Sequence, residues 1–240
     1  MQNKLTLIAT SIILASTSMS ASAKNNWFST SAISAVNIDG VNTSSTAPVG
    51  GVSRSLDIES DTDVGFGGEF GKILHTSQKG DEFSLSVSFL NSENDVDGIV
   101  FQGNSFSADA GTAEGSLELR SLILRGTYKF SLGAVNPYVG LGIGIADLEV
   151  DARYGGSVGT PTGSQPPFVN DSDSALALEA RVGIEIPLSK RFSLLAEYSI
   201  VEVDDINLDR LGGGPGGLAL TSQEGDLSYD ALTAGLKFRF

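Results

Sequence analysis

From Leu232 to Phe240 the chain alternates without a break: Leu232, Ala234, Leu236, Phe238 and Phe240 hold one parity, and Thr233, Gly235, Lys237 and Arg239 hold the other. A period of two sends successive side chains to opposite faces of an extended strand, so the segment has one apolar and one polar face. A strand of this kind that ends on an aromatic suits the closing strand of a barrel whose outer face meets lipid. A buried strand of a soluble protein is the competing reading of this segment alone.

The beginning of the chain carries an export pattern. Lys4 precedes an apolar run from Leu5 to Ala15, and small residues then lead to Ala21-Ser22-Ala23, which has the A-x-A form of a signal-peptidase site. Residues 1–23 are therefore expected to be a cleaved secretory signal peptide and residues 24–240 the barrel domain. The apolar run is too short to span a membrane, and no later stretch approaches the roughly 20 consecutive apolar residues of a membrane helix. If the protein crosses a bilayer, it does so as strands.

Mean hydropathy is only +0.07. Barrels hide their membrane character in this way, because lipid-facing and lumen-facing residues alternate and each strand averages to moderate hydropathy. The chain has no cysteine, which removes disulfides and thiolate metal sites, and its formal charge of −14 argues against nucleic acid, whose phosphates require basic clusters.

Polar, Gly/Asp/Ser/Asn-rich segments separate the alternating ones. Long irregular stretches are expected at about 39–60, 92–115, 152–173 and 204–226, and short connections at about 74–81, 131–136 and 187–190. Long and short connections alternate, which is the plan of an eight-stranded antiparallel up-and-down transmembrane barrel with four long outer loops and three short periplasmic turns. The strands are read at about 27–38, 61–73, 82–91, 117–130, 137–150, 174–187, 191–203 and 227–240, with room for ten strands if a hairpin lies within 98–108 around Ile99, Val100, Phe101 and Phe106. Phe83, Leu85, Val87 and Phe89 form a lipid face on the third strand, and Leu176, Leu178, Val182, Ile184 and Ile186 form one on the sixth.

Aromatics gather near the ends of strands that adjoin short turns: Trp27, Phe28, Phe70, Phe83, Tyr128, Phe130, Tyr138, Phe192, Phe238 and Phe240. A girdle of rings at one interface is expected of a membrane barrel. Tyr138 has the parity of the lumen if Val139, Leu141 and Ile143 face lipid, which places it inside the rim.

The mature chain resembles the small outer-membrane β-barrel proteins of the OmpA-like transmembrane-domain, opacity-protein and surface-antigen type. The segment Asn136-Pro137-Tyr138-Val139-Gly140-Leu141-Gly142-Ile143-Gly144 is similar to a turn-and-strand segment of that group. The ending Leu232, Ala234, Leu236, Phe238, Phe240 resembles its terminal assembly signal, which implies recognition by the barrel-assembly machinery. The resemblance further implies residence in the outer membrane of a Gram-negative bacterium, contact with lipid and lipopolysaccharide, and a monomer. No cell-wall-binding domain is expected after Phe240.

Glu69, Glu179, Glu185 and Glu197, with Arg125, Lys129, Arg181, Lys237 and Arg239, have lumen parity. The lumen of an eight-stranded barrel is just wide enough for side chains to fill, so these charges are expected to pair across it and close it. Gly140, Gly142 and Gly144 share that parity and leave room for long side chains; water leaking through this space is the alternative.

The single histidine, His75, falls in the first short turn without an evident nucleophile and carboxylate, so no enzyme, catalytic residue or cofactor is expected. Acids gather in the proposed outer loops, at Asp57, Glu59 and Asp61; Glu93, Asp95 and Asp97; Asp171 and Asp173; and Asp204, Asp205 and Asp209. Glu93-Asn94-Asp95-Val96-Asp97-Gly98 is like the opening of an EF-hand loop, but Asn104 stands where a bidentate Glu is required, so no metal site is assigned. A looser reading has these acids share divalent cations with lipopolysaccharide. The Gly-rich Leu211–Leu218 segment reads as a flexible loop able to meet a host ligand. The expected role is a surface-exposed structural or interaction protein, a surface antigen; the alternative is a small-solute porin.

Overall fold

The computed structural model shows a closed antiparallel barrel. It describes residues 26–45, 55–102, 108–109, 113–154, 168–214 and 217–240; the export segment, Asn104 and Phe106 lie outside these. The strands are β1 (Trp27–Ser45), β2 (Ser55–Ser60), β3 (Asp63–Thr76), β4 (Glu82–Gln102), β5 (Ala108–Asp109), β6 (Ala113–Lys129), β7 (Asn136–Tyr154), β8 (Phe168–Pro187), β9 (Phe192–Gly214) and β10 (Gly217–Arg239). β2 and β3 lie end to end between β1 and β4 as one stave broken at Asp61 and Thr62, and β5 is a stub on the tip of β4. Eight staves thus form the wall. β1 pairs with β10 from Phe28↔Arg239 to Ser45↔Gln223, which closes it.

Short turns join the staves at one end, and side chains hold them. Ser77 Oγ accepts from the Lys79 and Asp81 amides, Asn136 Oδ1 accepts from the Leu132 amide at 3.1 Å, and Ser189 Oγ accepts from the amides of Arg191 and Phe192. Gly80 (φ 91°) and Gly133 (φ 102°) supply left-handed conformations that other residues rarely adopt.

At the other end the structure departs from the sequence reading. The stretches 39–45, 92–102, 204–214 and 217–226, expected to be irregular, continue β1, β4, β9 and β10. The run Ile99 to Phe101 extends β4 and adds no stave, and the Gly-rich segment around Leu211 lies largely in the β9–β10 hairpin. Propensity points to loops here because Gly, Asp, Asn and Ser are poor strand formers, but ladder pairing with a neighbour overrides that preference.

The chemistry of the two faces exchanges partway up the wall while the parity holds. On β7 the outward residues Val139, Leu141, Ile143 and Ile145 give way to Asp147, Glu149 and Asp151, and inward Gly140, Gly142 and Gly144 give way to Ala146, Leu148, Val150 and Ala152. On β8, outward Leu176 to Ile186 lies beyond Ser172 and Ser174, and inward Glu179, Arg181 and Glu185 lie beyond Ala175 and Ala177. β9 changes at Ile200/Glu202 outside and Ser199/Val201 inside. The short-turn half therefore has a greasy exterior and a polar lumen, and the other half has a polar exterior around a dry core that includes Val36, Ile38, Leu117, Leu119, Val201, Val203, Ile206, Leu208 and Leu227. The expectation that charged groups face the axis and apolar ones face outward holds only for the first half. An apolar belt needs hydrocarbon around it, whereas a stave standing in water must bury its apolar face against its neighbours.

Of the several irregularities in the water-facing half, two are bridged by side chains. The β8–β9 ladder opens between Val169 and Leu176, where Asp173 Oδ2 accepts from the Asn207 amide at 2.7 Å and Asp205 takes φ 62°. At the β2–β3 break, buried Asn94 donates to the carbonyls of Val36 (3.0 Å) and Asp61 (2.9 Å) and accepts from Ser92 Oγ at 2.6 Å.

These faces place the hydrocarbon boundary between Ile145 and Asp147. Ile143→Arg should destabilise the barrel in lipid vesicles by about 2–4 kcal/mol, whereas Asp151→Arg, on the water side of that boundary, should change it by less than about 0.5 kcal/mol. Urea titration of both variants checks this, and equal costs would displace the boundary.

Candidate functional site

Lumen parity delivers charged side chains from six staves into one narrow space, where they form two layers. In the deeper layer Arg125 (β6) meets both oxygens of Glu179 (β8), with Nε to Oε2 at 2.7 Å. Arg181 (β8) reaches Glu197 (β9) at 3.0 Å and Glu69 (β3) at 3.2 Å, and also bonds Thr127. Ser86 Oγ donates to Glu69, and the Tyr138 phenol donates to Glu197 Oε2 at 2.9 Å. In the layer nearer the short turns, Glu185 (β8) takes Lys129 at 3.1 Å, Lys237 at 3.1 Å and Arg239 at 2.7 Å, and Ser193 Oγ donates to it at 3.1 Å. Glu82 (β4) pairs with Lys129 at 2.7 Å and Arg239 at 2.9 Å.

The structure thus brings together all nine lumen charges named from sequence and adds Glu82. Glu82 has their parity, at the foot of the third strand beside Ser84, Ser86 and Ser88, and that was the available signal. Five carboxylates, Glu69, Glu82, Glu179, Glu185 and Glu197, face five cations, Arg125, Lys129, Arg181, Lys237 and Arg239. The balance matters because an uncompensated charge held away from water is costly.

Small residues make space for this packing. A Cβ at Gly140 would stand 2.7 Å from Arg181 Nε, and one at Gly142 would stand 2.8 Å from Glu179 Oε2. Gly144 differs from expectation: a Cβ there would strike the backbone of Leu122, so the constraint is the wall and not a long side chain. Phe28, counted among the girdle rings at the strand ends, is instead buried in the lumen, with Lys237 Nζ 4.0 Å from its ring centroid. Parity decides this, because adjacent residues of a strand cannot share a face. Tyr138 lies inside the rim, and the Arg181 guanidinium lies 5.7 Å from its ring centroid.

Outside, rings meet at the short-turn rim: Trp27 stacks on Phe70 at 5.1 Å, Tyr128 meets Phe130 at 5.0 Å, and Phe238 lies 5.0 Å from both Phe192 and Phe240. Of the terminal set, Leu232, Ala234 and Leu236 lie on the outer face of β10, and the Phe240 amide donates to the Trp27 carbonyl at 3.0 Å. His75 is exposed near the end of β3, its backbone paired with Phe83. Glu93, Asp95 and Asp97 lie along the outer face of β4, an extended arrangement unlike a metal-wrapping loop, and no group of three metal-ligating side chains occurs among the described residues.

Residues 9–240 match the model of the outer membrane protein beta-barrel domain family. The chain belongs to that family. This outer-membrane barrel is also similar to solved structures. The outer membrane protein OprG from Pseudomonas aeruginosa is 14% identical, with 90% of this chain and 97% of that chain covered and a TM-score of 0.53. The outer membrane protease OmpT from Escherichia coli is 9% identical, with 91% and 98% covered and a TM-score of 0.57. A major outer membrane protein from Thermus thermophilus is 14% identical, with 89% and 99% covered and a TM-score of 0.52. At such identities the likeness is one of fold. No curated protein matches the chain.

The barrel therefore resides in the bacterial outer membrane, with its apolar belt in lipid. Removing Arg181 from it leaves Glu69 and Glu197 short of a buried partner. Arg181→Ala should destabilise the refolded barrel by about 3–5 kcal/mol, whereas joint replacement of Arg125 by Met and Glu179 by Leu should cost less than either single change. Fluorescence of the single tryptophan, Trp27, during urea unfolding in vesicles measures both.

Proposed function

We propose that this barrel is a closed, non-conducting surface protein, which holds a rigid β-wall and its connecting loops outside the membrane as a structural or interaction element. The observation that carries this reading is the dry core of the outer half: Leu117, Leu119, Leu148, Val150, Val201 and Val203 are each at 1% exposure or less and lie across the lumen beyond the charged layers. Two seals of different chemistry thus stand in series. A solute passing through would have to break an ion-pair network and then displace a packed apolar core, which a porin has no reason to contain.

The wall itself supports a presenting role. β9 runs on from Glu202 to Gly214 beyond the apolar belt, which at about 3.3 Å per residue and a tilt of about 40° corresponds to on the order of 30 Å of height. Its outer surface carries carboxylates, among them Glu93, Asp95, Asp97, Glu149, Asp151, Glu202 and Asp204, which suits a basic or neutral partner better than a polyanion. The protein acts as a monomer in contact with lipopolysaccharide, and its loops meet the partner. Recognition by the assembly machinery rests with Leu232, Ala234, Leu236, Phe238 and Phe240. No catalytic step is assigned to it.

Planar-bilayer recording tests the closed barrel. Wild type should show no steady channels, and Arg181→Ala should remain silent because the apolar core still blocks the lumen; steady, salt-dependent conductance of wild type would establish the porin instead. For assembly, Phe240→Ala should lower the amount of protein reaching the outer membrane of cells while shifting the urea midpoint of refolded protein little, and equal loss in both would make Phe240 a stability residue only.

A further inference from the structure

The exterior charges of the barrel are sorted by height, and the cations at the short-turn end stand alone. Lys72 on β3, Lys79 in the first turn, and Lys190 and Arg191 in the third are exposed, and none of them forms an ion pair among the described residues. In the water-facing half the exposed Arg120 is instead held by Glu118, Asp147 and Glu149. Asp81 is the one acidic side chain outside the lumen at the short-turn end among the described residues, and it is occupied by the Ser131 amide at 2.9 Å and the Ser77 hydroxyl at 3.3 Å. Counting the Phe240 carboxyl group as well still leaves four cations against two anions.

These cations lie on neighbouring staves. The Arg239 amide donates to the Arg191 carbonyl at 2.8 Å, the Phe240 amide donates to the Trp27 carbonyl at 3.0 Å, and Trp27 pairs with Lys72, so one arc runs from the start of β9 across β10 and β1 to β3 and the first turn. The turn from Ser131 to Val135, on the rest of the rim, carries no charge. Rings follow the same arc at Trp27, Phe70, Phe192, Phe238 and Phe240, and Lys72 Nζ sits 5.4 Å from the Trp27 ring centroid. Such rings mark the level at which hydrocarbon gives way to headgroups, so cations beside them meet phosphates.

We infer that this arc is a binding surface for anionic phospholipid headgroups in the leaflet on the short-turn side, favouring a phosphodiester of the phosphatidylglycerol class over a zwitterionic one. A zwitterionic headgroup brings its own cation, which Lys72, Lys190 and Arg191 repel, whereas an anionic one brings only the charge they lack. Position selects a lipid over a polymer outside the membrane, since Lys72 shares the lipid-facing parity of Phe66 and Phe70 on β3. The carboxylates on the exterior of the other half, among them Asp147, Glu149 and Glu202, repel the same headgroup, so the preference belongs to one leaflet. Closure of the lumen plays no part in this surface.

The single tryptophan, Trp27, reports on the arc directly. The full mature chain is refolded in phosphatidylcholine vesicles in which dibrominated phosphatidylglycerol or dibrominated phosphatidylcholine replaces part of the lipid, and quenching of Trp27 fluorescence gives the relative affinity of the two lipids beside it. Wild type should favour phosphatidylglycerol by about threefold or more at low salt. Lys72→Gln, Lys190→Gln and Arg191→Gln combined should bring the ratio to about one, whereas Lys72→Arg and Arg120→Gln should leave it unchanged. Salt at about 0.5 M, which needs no substitution, should also lower the wild-type ratio toward one. Equal quenching of wild type by the two lipids, or a preference that survives either the triple substitution in folded protein or the added salt, would overturn the phospholipid surface. Equal quenching together with co-sedimentation of wild type, but not of the triple variant, with purified peptidoglycan would give the arc to the cell wall instead.

Discussion

Within hydrocarbon no water is at hand to satisfy a peptide group, so each amide and carbonyl in that zone must find its partner inside the wall. The closure of β1 on β10 answers this, and most of the architecture follows from it. Once the wall is closed and its exterior is given over to apolar side chains, the lumen is the one place left in the membrane zone for polar ones. With eight staves that space is narrow enough for side chains to fill. Glycines at 140 and 142 and the reach of arginine, lysine and glutamate from opposite staves then turn a ring of inward-facing residues into a solid network.

The exchange of faces higher up is the same constraint met under a different solvent. Where hydrocarbon ends, outward apolar side chains lose their medium and Asp147, Glu149 and Glu202 replace them; inward polar groups would then leave the outer half without a core, and Leu148, Val150 and Val201 replace those. The opening of the β8–β9 ladder has the same origin. An interruption that leaves peptide groups to be satisfied by Asp173 is tolerable in water and prohibitive in lipid, and it occurs only after outward Leu176 has given way to Ser174. Asn94 does comparable work at the β2–β3 break, a polar side chain buried because broken backbone pairing needs it.

The membrane half was legible in the sequence because its rule is strict alternation, and a rule of period two fixes the face of every residue once one is known. Tyr138 and all nine lumen charges follow from it, and so does the inward face of Glu82 with Ser84, Ser86 and Ser88, although the expected set of lumen pairs left Glu82 out. Phe28 shows the cost of letting residue type outvote parity. The outer half was obscured for a physical reason: its alternation persists but with polarity reversed, so Leu117 and Leu119 or Val201 and Val203 look like interruptions of the lipid-facing pattern and not like a second pattern in register with it. The Asp-, Gly- and Ser-rich composition of these staves adds to the effect, since those residues signal turns when pairing partners are unknown.

Two seals of different chemistry also respond differently to change. The ion-pair layers are specific: each member fixes the rotamer of its partners, so loss of one charge propagates through Glu185 or Arg181 to several staves. The apolar core is tolerant, since many hydrophobic combinations of similar volume fill such a space. On the proposed closed-barrel reading, the network alone would open whenever its charges were neutralised or screened, whereas a dry core beyond it keeps the lumen shut. On that reading the charged layers are the solution to filling a polar lumen within lipid, and closure toward the outside is the work of the hydrophobic half that stands in water.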